Sequence, residues 1–213
     1  MRDLVIRPEE PRDFAAADAL TREAFWNLYR PGCDEHYLAH VMRAHPDYLA
    51  DLSHVAELDG ELVGSIQYTR SRLTDEDGRR LDTVTFGPLC VAPGHQRAGI
   101  GSRLIAHTRE LAVAAGYPVL VILGDPHNYV KHGFKNGKDL NVCTADGKHP
   151  LGLLVLELTP GVLAGHSWRF QESVVFDLDQ ALVEAWDQTL PAKPKEYQYT
   201  QDLFSMMIRA VVE

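Results

Sequence analysis

Thr83-Val84-Thr85-Phe86-Gly87-Pro88-Leu89-Cys90-Val91, then Ala92-Pro93-Gly94-His95, then Gln96-Arg97-Ala98-Gly99-Ile100-Gly101 is the stretch that decides the fold. Its first nine residues are largely apolar and β-branched and read as a strand, and the Pro and Gly that follow read as a turn. From Ile100 onward, Ile100, Leu104, Leu111 and Ala115, with Ile105 and Ala112 beside them, recur at the three-to-four spacing of an amphipathic helix. A helix start presents unpaired backbone N–H groups and a partial positive charge, and glycines at 99 and 101 let a ligand approach that backbone without a Cβ in the way. An anion such as a pyrophosphate fits there. Two glycines one residue apart, without a third, are not a dinucleotide fingerprint, and no Lys-Ser/Thr follows as in a nucleotide P-loop.

Outward from this stretch the elements fall into an alternating order. His54–Leu58 and Leu62–Tyr68 flank Asp59-Gly60, a strong hairpin signal because both residues tolerate positive φ. The second of these strands continues to Leu73, turns at Asp75-Glu76-Asp77-Gly78 and returns at Thr83. After the helix, Gly116-Tyr117-Pro118 breaks the pattern and Val119–Leu123 follows as a strand apolar on both faces, the mark of a central parallel strand closing a βαβ crossover. Upstream lie a strand at Leu4–Arg7, a helix from about Arg12 with Phe14, Ala17, Leu20, Ala24 and Phe25 on one face, and a second helix over Asp34–Ala44. Downstream come a strand at Pro150–Leu158, a strand at Phe170–Phe176, a helix over Asp177–Thr189, a Pro/Lys linker and a last helix from Thr200 that buries Leu203, Phe204, Met207 and Val211.

The Gln-Arg-x-Gly-x-Gly spacing of residues 96–101, after a strand and before a helix, resembles the acyl-CoA-binding motif of the GNAT superfamily of N-acetyltransferases. Ile6-Arg7-Pro8 followed by the helix to Glu23-Ala24-Phe25 is similar to the first strand and helix of that family. A second segment, Gly124 to Phe134, holds Tyr129-x-Lys131-x-Gly133-Phe134, which resembles the family's second signature, and Gly124-Asp125-Pro126 in front of it is similar to a bacterial subgroup of predicted acetyltransferases. The resemblance implies an α/β (α+β) fold, a mixed sheet of about six to seven strands with helices on both faces. It implies a domain over residues 1–160 and a C-terminal extension, 161–213, that packs on the core, completes the acceptor pocket or pairs two subunits as a homodimer. The strands at 83–91 and 119–123 splay apart, with the pantetheine arm of acetyl-CoA between them.

The same resemblance implies roles residue by residue. Gln96, Arg97, Ala98, Gly99, Ile100 and Gly101 bind the pyrophosphate, the main chain of Leu89, Cys90 and Val91 holds the pantetheine and stabilises the oxyanion, and Asn128 joins the cofactor site. Tyr129 protonates the departing sulfur or, in the plainer reading, is a packing aromatic. The co-substrate is acetyl-CoA and the acceptor a primary amine of a small molecule or peptide, attacking directly in a ternary complex. Transfer of another acyl group, or CoA binding without turnover as a sensor, are the alternatives. Thr83–Val91 contains no acid, so the general base is open among Glu57, Asp125, His127, His36 and a water chain.

Composition narrows the partners. The 213 residues are 45% hydrophobic and 24% charged, enough for one sizeable core. A net charge of -9 argues against a nucleic-acid partner, which needs clustered Lys and Arg. Even so, His95, Arg97, Arg103, His107 and Arg109 gather around the glycine turn with Glu110 as the only acid. Cys33, Cys90 and Cys143 form no C-x-x-C pair, which favours a reducing cytoplasm, and Cys90 on its apolar strand reads as a small core residue. Met1-Arg2-Asp3-Leu4 has no apolar signal region and no run approaches the ~20 residues that span a bilayer, so no membrane partner is expected. His36 and His40 share helical spacing but lack a third and fourth ligand, and no metal is expected.

Overall fold

The computed structural model describes residues 4–213; Met1, Arg2 and Asp3, read above for the missing signal region, lie outside them. The chain begins with β1 (Leu4–Pro8) and two helices, α1 (Phe14–Phe25) and α2 (Glu35–Met42). β2 (His54–Leu58), β3 (Glu61–Asp75) and β4 (Arg80–Val91) then form an antiparallel meander with β1 at its edge. Asp59 and Gly60 take φ of 54° and 82°, the paired left-handed conformation that a two-residue hairpin between right-twisted strands requires. The crossover helix α3 (Ile100–Ala114) leads to β5 (Val119–Leu123), which runs parallel to β4. Beyond it lie the short helix α4 (Pro126–Tyr129), β6 (Lys135–Asn136), β7 (Val142–Cys143) and β8 (Leu153–Glu157), the last pairing antiparallel with β5. Nine strands occur among the described residues instead of six to seven, because β6 and β7 are two residues long and leave no periodicity to read.

β5 is apolar throughout because both of its faces are covered. Leu120 and Ile122 pack with Leu104 and Ile105 of α3 and with Phe134, while Val119 and Val121 pack with Leu153, Leu163, Trp168 and Phe170. Each such side chain contributes about 1.5–3 kcal/mol through burial. On the remaining side α1 and α2 are fixed to the sheet by an ionic knot. Arg43, just past α2, donates to Glu9 at 2.7 Å and pairs with Asp18 of α1, and Glu9, fully buried, also accepts from Tyr48 at 2.8 Å and Gln67 at 3.2 Å.

Residues 161–213 are woven into this frame. β9 (Trp168–Gln171) pairs with the outer half of β3, Leu73 opposite Phe170, and the Trp168 ring is fully buried with its Nε1 donating to the Leu163 carbonyl at 3.1 Å. The strand expected at 170–176 thus begins at 168 and ends at 171, where Ser173 caps a short turn instead. α5 (Gln180–Asp187) and α6 (Tyr199–Arg209) follow. Near the end of α1, Arg22 donates to Asp187 at 2.8 Å, Trp26 Nε1 to the Pro194 carbonyl at 2.8 Å, and Gln201 to the Asn27 carbonyl at 2.9 Å. Past α6, the N–H groups of Leu151 and Val212 donate to the carbonyls of Ala210 and His149, both at 2.8 Å. The tail therefore runs as a strap from α1 to the start of β8 and carries α6 with it. No helix among the described residues is long and apolar enough to cross a membrane.

Candidate active site

β4 and β5 register at a single pair, Val84 with Leu120. From Thr85 to Val91, β4 stays bonded to β3 on one edge, while its other edge has parted from β5. Gly87 and Pro88 together face Gln67, a β-bulge, and a bulge bends and twists its strand. A strand edge without a neighbour presents N–H and C=O groups that need partners. The parting opens a groove of about 1010 Å³. Gln96, Arg97, Gly99, Ile100, Gly101, Leu89, Cys90, Val91, Asn128 and Tyr129 all line it; Ala98 is exposed and does not.

One end of the groove is the entrance to α3. Gly99, at the N-cap, takes φ of +83°, and a Cβ there would meet nothing within 4 Å, so glycine is required by the backbone angle as much as by ligand approach. No side chain caps this helix, which leaves its first-turn N–H groups facing outward. Gln96 Nε2 donates to the Val91 carbonyl at 3.2 Å, tying the turn back to the end of β4. Arg97, His95, Lys131 and His132 line this end. Burial, followed by the neighbouring Lys131 and Arg109, lowers the His132 pKa and so favours its neutral imidazole. Cys90 sits with its Sγ 3.5 Å from Thr21 Oγ1, and burial pushes its thiol up to about 11, which fits a packing role.

Tyr129 lines the groove near Tyr29 and Asp125. Its ring lies 5.7 Å from Phe86 and 6.0 Å from Phe134, and it covers the end of β5 so closely that a Cβ on Gly124 would fall 2.7 Å from the ring. The glycine of Gly124-Asp125-Pro126 is thus what admits the tyrosine. Burial, followed by Tyr29 and Asp125, raises the Tyr129 pKa, and the hydroxyl remains a proton donor across the neutral range.

The far end is acidic and apolar together. Phe25, Tyr29, Glu35, Leu38, Glu172, Phe176, Phe204 and Ile208 line it, from four separate parts of the chain. Burial pushes the Glu35 carboxyl up to about 7, with the neighbouring Asp34 charge adding to the shift, and raises the Glu172 carboxyl as well. Burial and the charges of Glu35 and Asp125 push Tyr29 up to about 12, which sets Tyr29 between the acid on α2 and the one preceding Tyr129. Of the expected bases, Glu57 is held by Arg7 at 2.6 Å and does not line the groove. His36 is fully buried, 3.3 Å from Cys33 Sγ and 3.5 Å from Asp187, and His127 is exposed outside the groove. Asp125 lines it, with Oδ1 accepting the His127 N–H at 2.9 Å. Glu35, which is not among the expected bases, lines the groove; Glu35, Leu38 and Met42 share one helical stripe, and an acid on an apolar stripe is a legible sign.

The histidine pair has divided partners: His36 faces Cys33, and His40 stacks on Trp186 at 4.0 Å and meets Asp18 at 3.1 Å. Among the described residues, Asp75, Glu76 and His166 bring ligand atoms within 4.8 Å of one another, and none of them lines the groove.

Residues 22–134, just over half the chain, match the Acetyltransferase (GNAT) family. The chain is 30% identical over 133 residues to the uncharacterized N-acetyltransferase YhbS of Escherichia coli K12, covering 62% of this chain and 74% of that one. It is 32% identical over 99 residues to the uncharacterized N-acetyltransferase YjhQ of the same organism, spanning 46% of this chain and about half, 51%, of that relative. Among solved structures, E. coli YhbS in complex with CoA superposes with a TM-score of 0.72 at 23% identity, over 84% of this chain and 94% of that one. A GNAT family acetyltransferase from Brucella melitensis in complex with acetyl-CoA follows, with a TM-score of 0.66 at 25% identity, over 83% and 100%. With the parted strands, the open helix entrance and this kinship agreeing, the chain belongs to the GNAT family of acetyltransferases, which are acyltransferase enzymes.

Proposed function

We propose that the protein transfers the acetyl group of acetyl-CoA to a primary amine by direct attack in a ternary complex. The observation that carries this reading is the continuity of the groove: unpaired β4 edge, uncapped α3 entrance, Tyr129 and Glu35 all border one space. The first-turn N–H groups of α3, with Arg97 and Lys131, would hold the pyrophosphate, and the free edge of Leu89, Cys90 and Val91 would hold the pantetheine as a strand holds its neighbour. The relatives solved with CoA and acetyl-CoA support this fit.

An alkylammonium near pKa ~10 must lose a proton before it attacks. Glu35, at about 7, is far better matched to take it than an ordinary carboxylate. Main-chain N–H groups of β4 donate to the thioester oxygen as charge gathers there. The C–N bond forms, the C–S bond breaks, the acylated nitrogen releases its second proton to water, and Tyr129 donates a hydrogen bond to the sulfur. With an unperturbed tyrosine near ~10 and a thiol near ~8.5, complete proton transfer is uphill by about 2 kcal/mol, and the raised Tyr129 pKa makes it steeper. Tyr129 therefore acts chiefly by hydrogen bonding in the transition state, and the thiolate gains its proton afterwards from solvent.

Binding of CoA without turnover draws on the missing acid in Thr83–Val91; Glu35, facing the groove from α2, supplies a carboxylate from elsewhere. Thiol release from acetyl-CoA with a panel of amines tests the proposal. Wild type is expected to turn over and Tyr129→Phe to lose rate with unchanged affinity for CoA. Absence of any melting shift with CoA or acetyl-CoA would overturn it.

A further inference from the structure

The acceptor end of the groove has a composition that selects among amines. Its walls include Phe25, Tyr29, Leu38, Phe176, Phe204 and Ile208, and the Tyr29 and Phe204 rings stack at 3.9 Å with 21° between their planes. Phe204 and Ile208 come from α6, beyond the residues that match the family, and they reach the groove because the tail is tied at both ends, to Asn27 through Gln201 and to Leu151 through Ala210. The charges at this end are Asp34, Glu35, Asp125 and Glu172 against one cation, Arg30. Arg30 is already engaged, donating to Asp34 at 2.6 Å and to Gln180 at 2.7 Å. Among the described residues no ion pair reaches Glu35 or Glu172; the Glu35 carboxyl accepts only main-chain N–H groups, its own and that of Asp34, the latter at 3.0 Å. Carboxylates set in an apolar wall are stabilised by a cation brought to them, and a second carboxylate on the ligand would be repelled.

We propose, building on the acetyl-transfer reading, that the acceptor is a monocationic primary amine on a flat apolar body, an arylalkylamine without a carboxylate, with its ammonium at Glu35 and its body against the wall that Phe204 of α6 completes. Long polyamines offer no flat apolar body for the rings to cover, and amino acids place a carboxylate beside Glu35 and Glu172; both are disfavoured. Phe204 is then a specificity-determining residue rather than a structural one. Ring contact is worth about 1–2 kcal/mol when the ring is desolvated, which corresponds to roughly a tenfold preference.

Phenethylamine, n-butylamine, spermidine and phenylalanine, each with saturating acetyl-CoA, form the test, read as kcat/KM by thiol release and as affinity for the CoA-loaded protein by calorimetry. Phenethylamine is expected to exceed n-butylamine by about tenfold and phenylalanine by about a hundredfold. Phe204→Ala should remove the advantage over n-butylamine, lowering kcat/KM for phenethylamine about tenfold more than for n-butylamine, while CoA affinity is retained. Preference for spermidine or phenylalanine, or an equal loss for all amines in Phe204→Ala, overturns the proposal. If phenethylamine binds the CoA-loaded protein with that selectivity and no thiol is released, the pocket assignment stands and the acetyl-transfer reading fails. If phenethylamine neither binds nor reacts, the pocket assignment fails, and thiol release with another amine would leave acetyl transfer intact.

Discussion

The two ends of the groove are built in opposite ways. The entrance of α3 is shaped by one continuous stretch, 89–101, with Lys131 and His132 added from elsewhere, and that shape follows from its own turn residues: Gly99 at φ +83°, Arg97 at φ 61° and an uncapped helix start. The acceptor end is assembled from residues near 25–38, 123–129, 172–176 and 204–208, brought together by the Glu9–Arg43–Asp18 knot and by the C-terminal strap. An anion site made of backbone can be written locally, whereas a pocket made of side chains depends on long-range packing. Damage to one end should therefore spare the other.

The largest expected effect comes from the knot under α2. Arg43→Ala leaves Glu9 buried and unpaired, and loss of one partner of a buried pair costs about 3–5 kcal/mol. Urea unfolding should report that loss, and the surviving folded fraction should show a raised KM for amine with CoA affinity unchanged. Equal damage to both affinities would break the distinction between the ends.

Glu35→Gln sharpens it in the opposite direction. The folded carboxyl keeps its proton to about 7 against an ordinary 4.5, so folded stability falls as pH rises between those values, by at most about 3 kcal/mol. The glutamine cannot ionise, so relative to wild type the variant should gain up to that amount in unfolding free energy between pH 4.5 and pH 8. Its kcat/KM should fall about 100-fold and lose the ascending limb near pH 7. A residue that destabilises the fold and supports the reaction is a mark of function. Unchanged activity with an unchanged pH profile would remove Glu35 from the chemistry.

Tyr129→Phe keeps the ring against Phe86 and Phe134 and removes one hydroxyl, so kcat should fall by about 100-fold with melting temperature and CoA affinity retained. A loss of stability instead would return Tyr129 to a packing role. The smallest effect belongs to the local end: Gly99→Ala must hold alanine at positive φ, a strain of about 1–2 kcal/mol, and calorimetry should find CoA binding weakened roughly tenfold with amine KM unaltered.

Elements whose pattern is continuous were legible before the structure. The Asp59-Gly60 hairpin, the helix from Ile100 and the doubly apolar β5 all lie where their periods and turn residues put them. The last helix forms over 199–209, but of the residues expected to be buried there Leu203 is 54% exposed and Val211, past the helix end, 48% exposed, because the helix packs across the groove mouth and not into the core. The two-residue β6 and β7 were not legible, since pairing of so short a segment is decided by what lies beside it. Expected members of the site divide the same way. Residues 89–91 and 96–101 reach the groove with Ala98 aside, while Glu57 and His36, plausible bases by residue type, are consumed by Arg7 and by Cys33 with Asp187.

By itself the amino-acid order determined that a strand, a glycine turn and an uncapped helix would meet at one point, because backbone conformation there is dictated by neighbouring residues. Only the folded chain decided which acid faces the reaction space and which aromatic rings border it. Those choices depend on burial and on contacts between residues as much as 175 positions apart, Tyr29 with Phe204 among them, and no local pattern encodes the free energy of such a meeting.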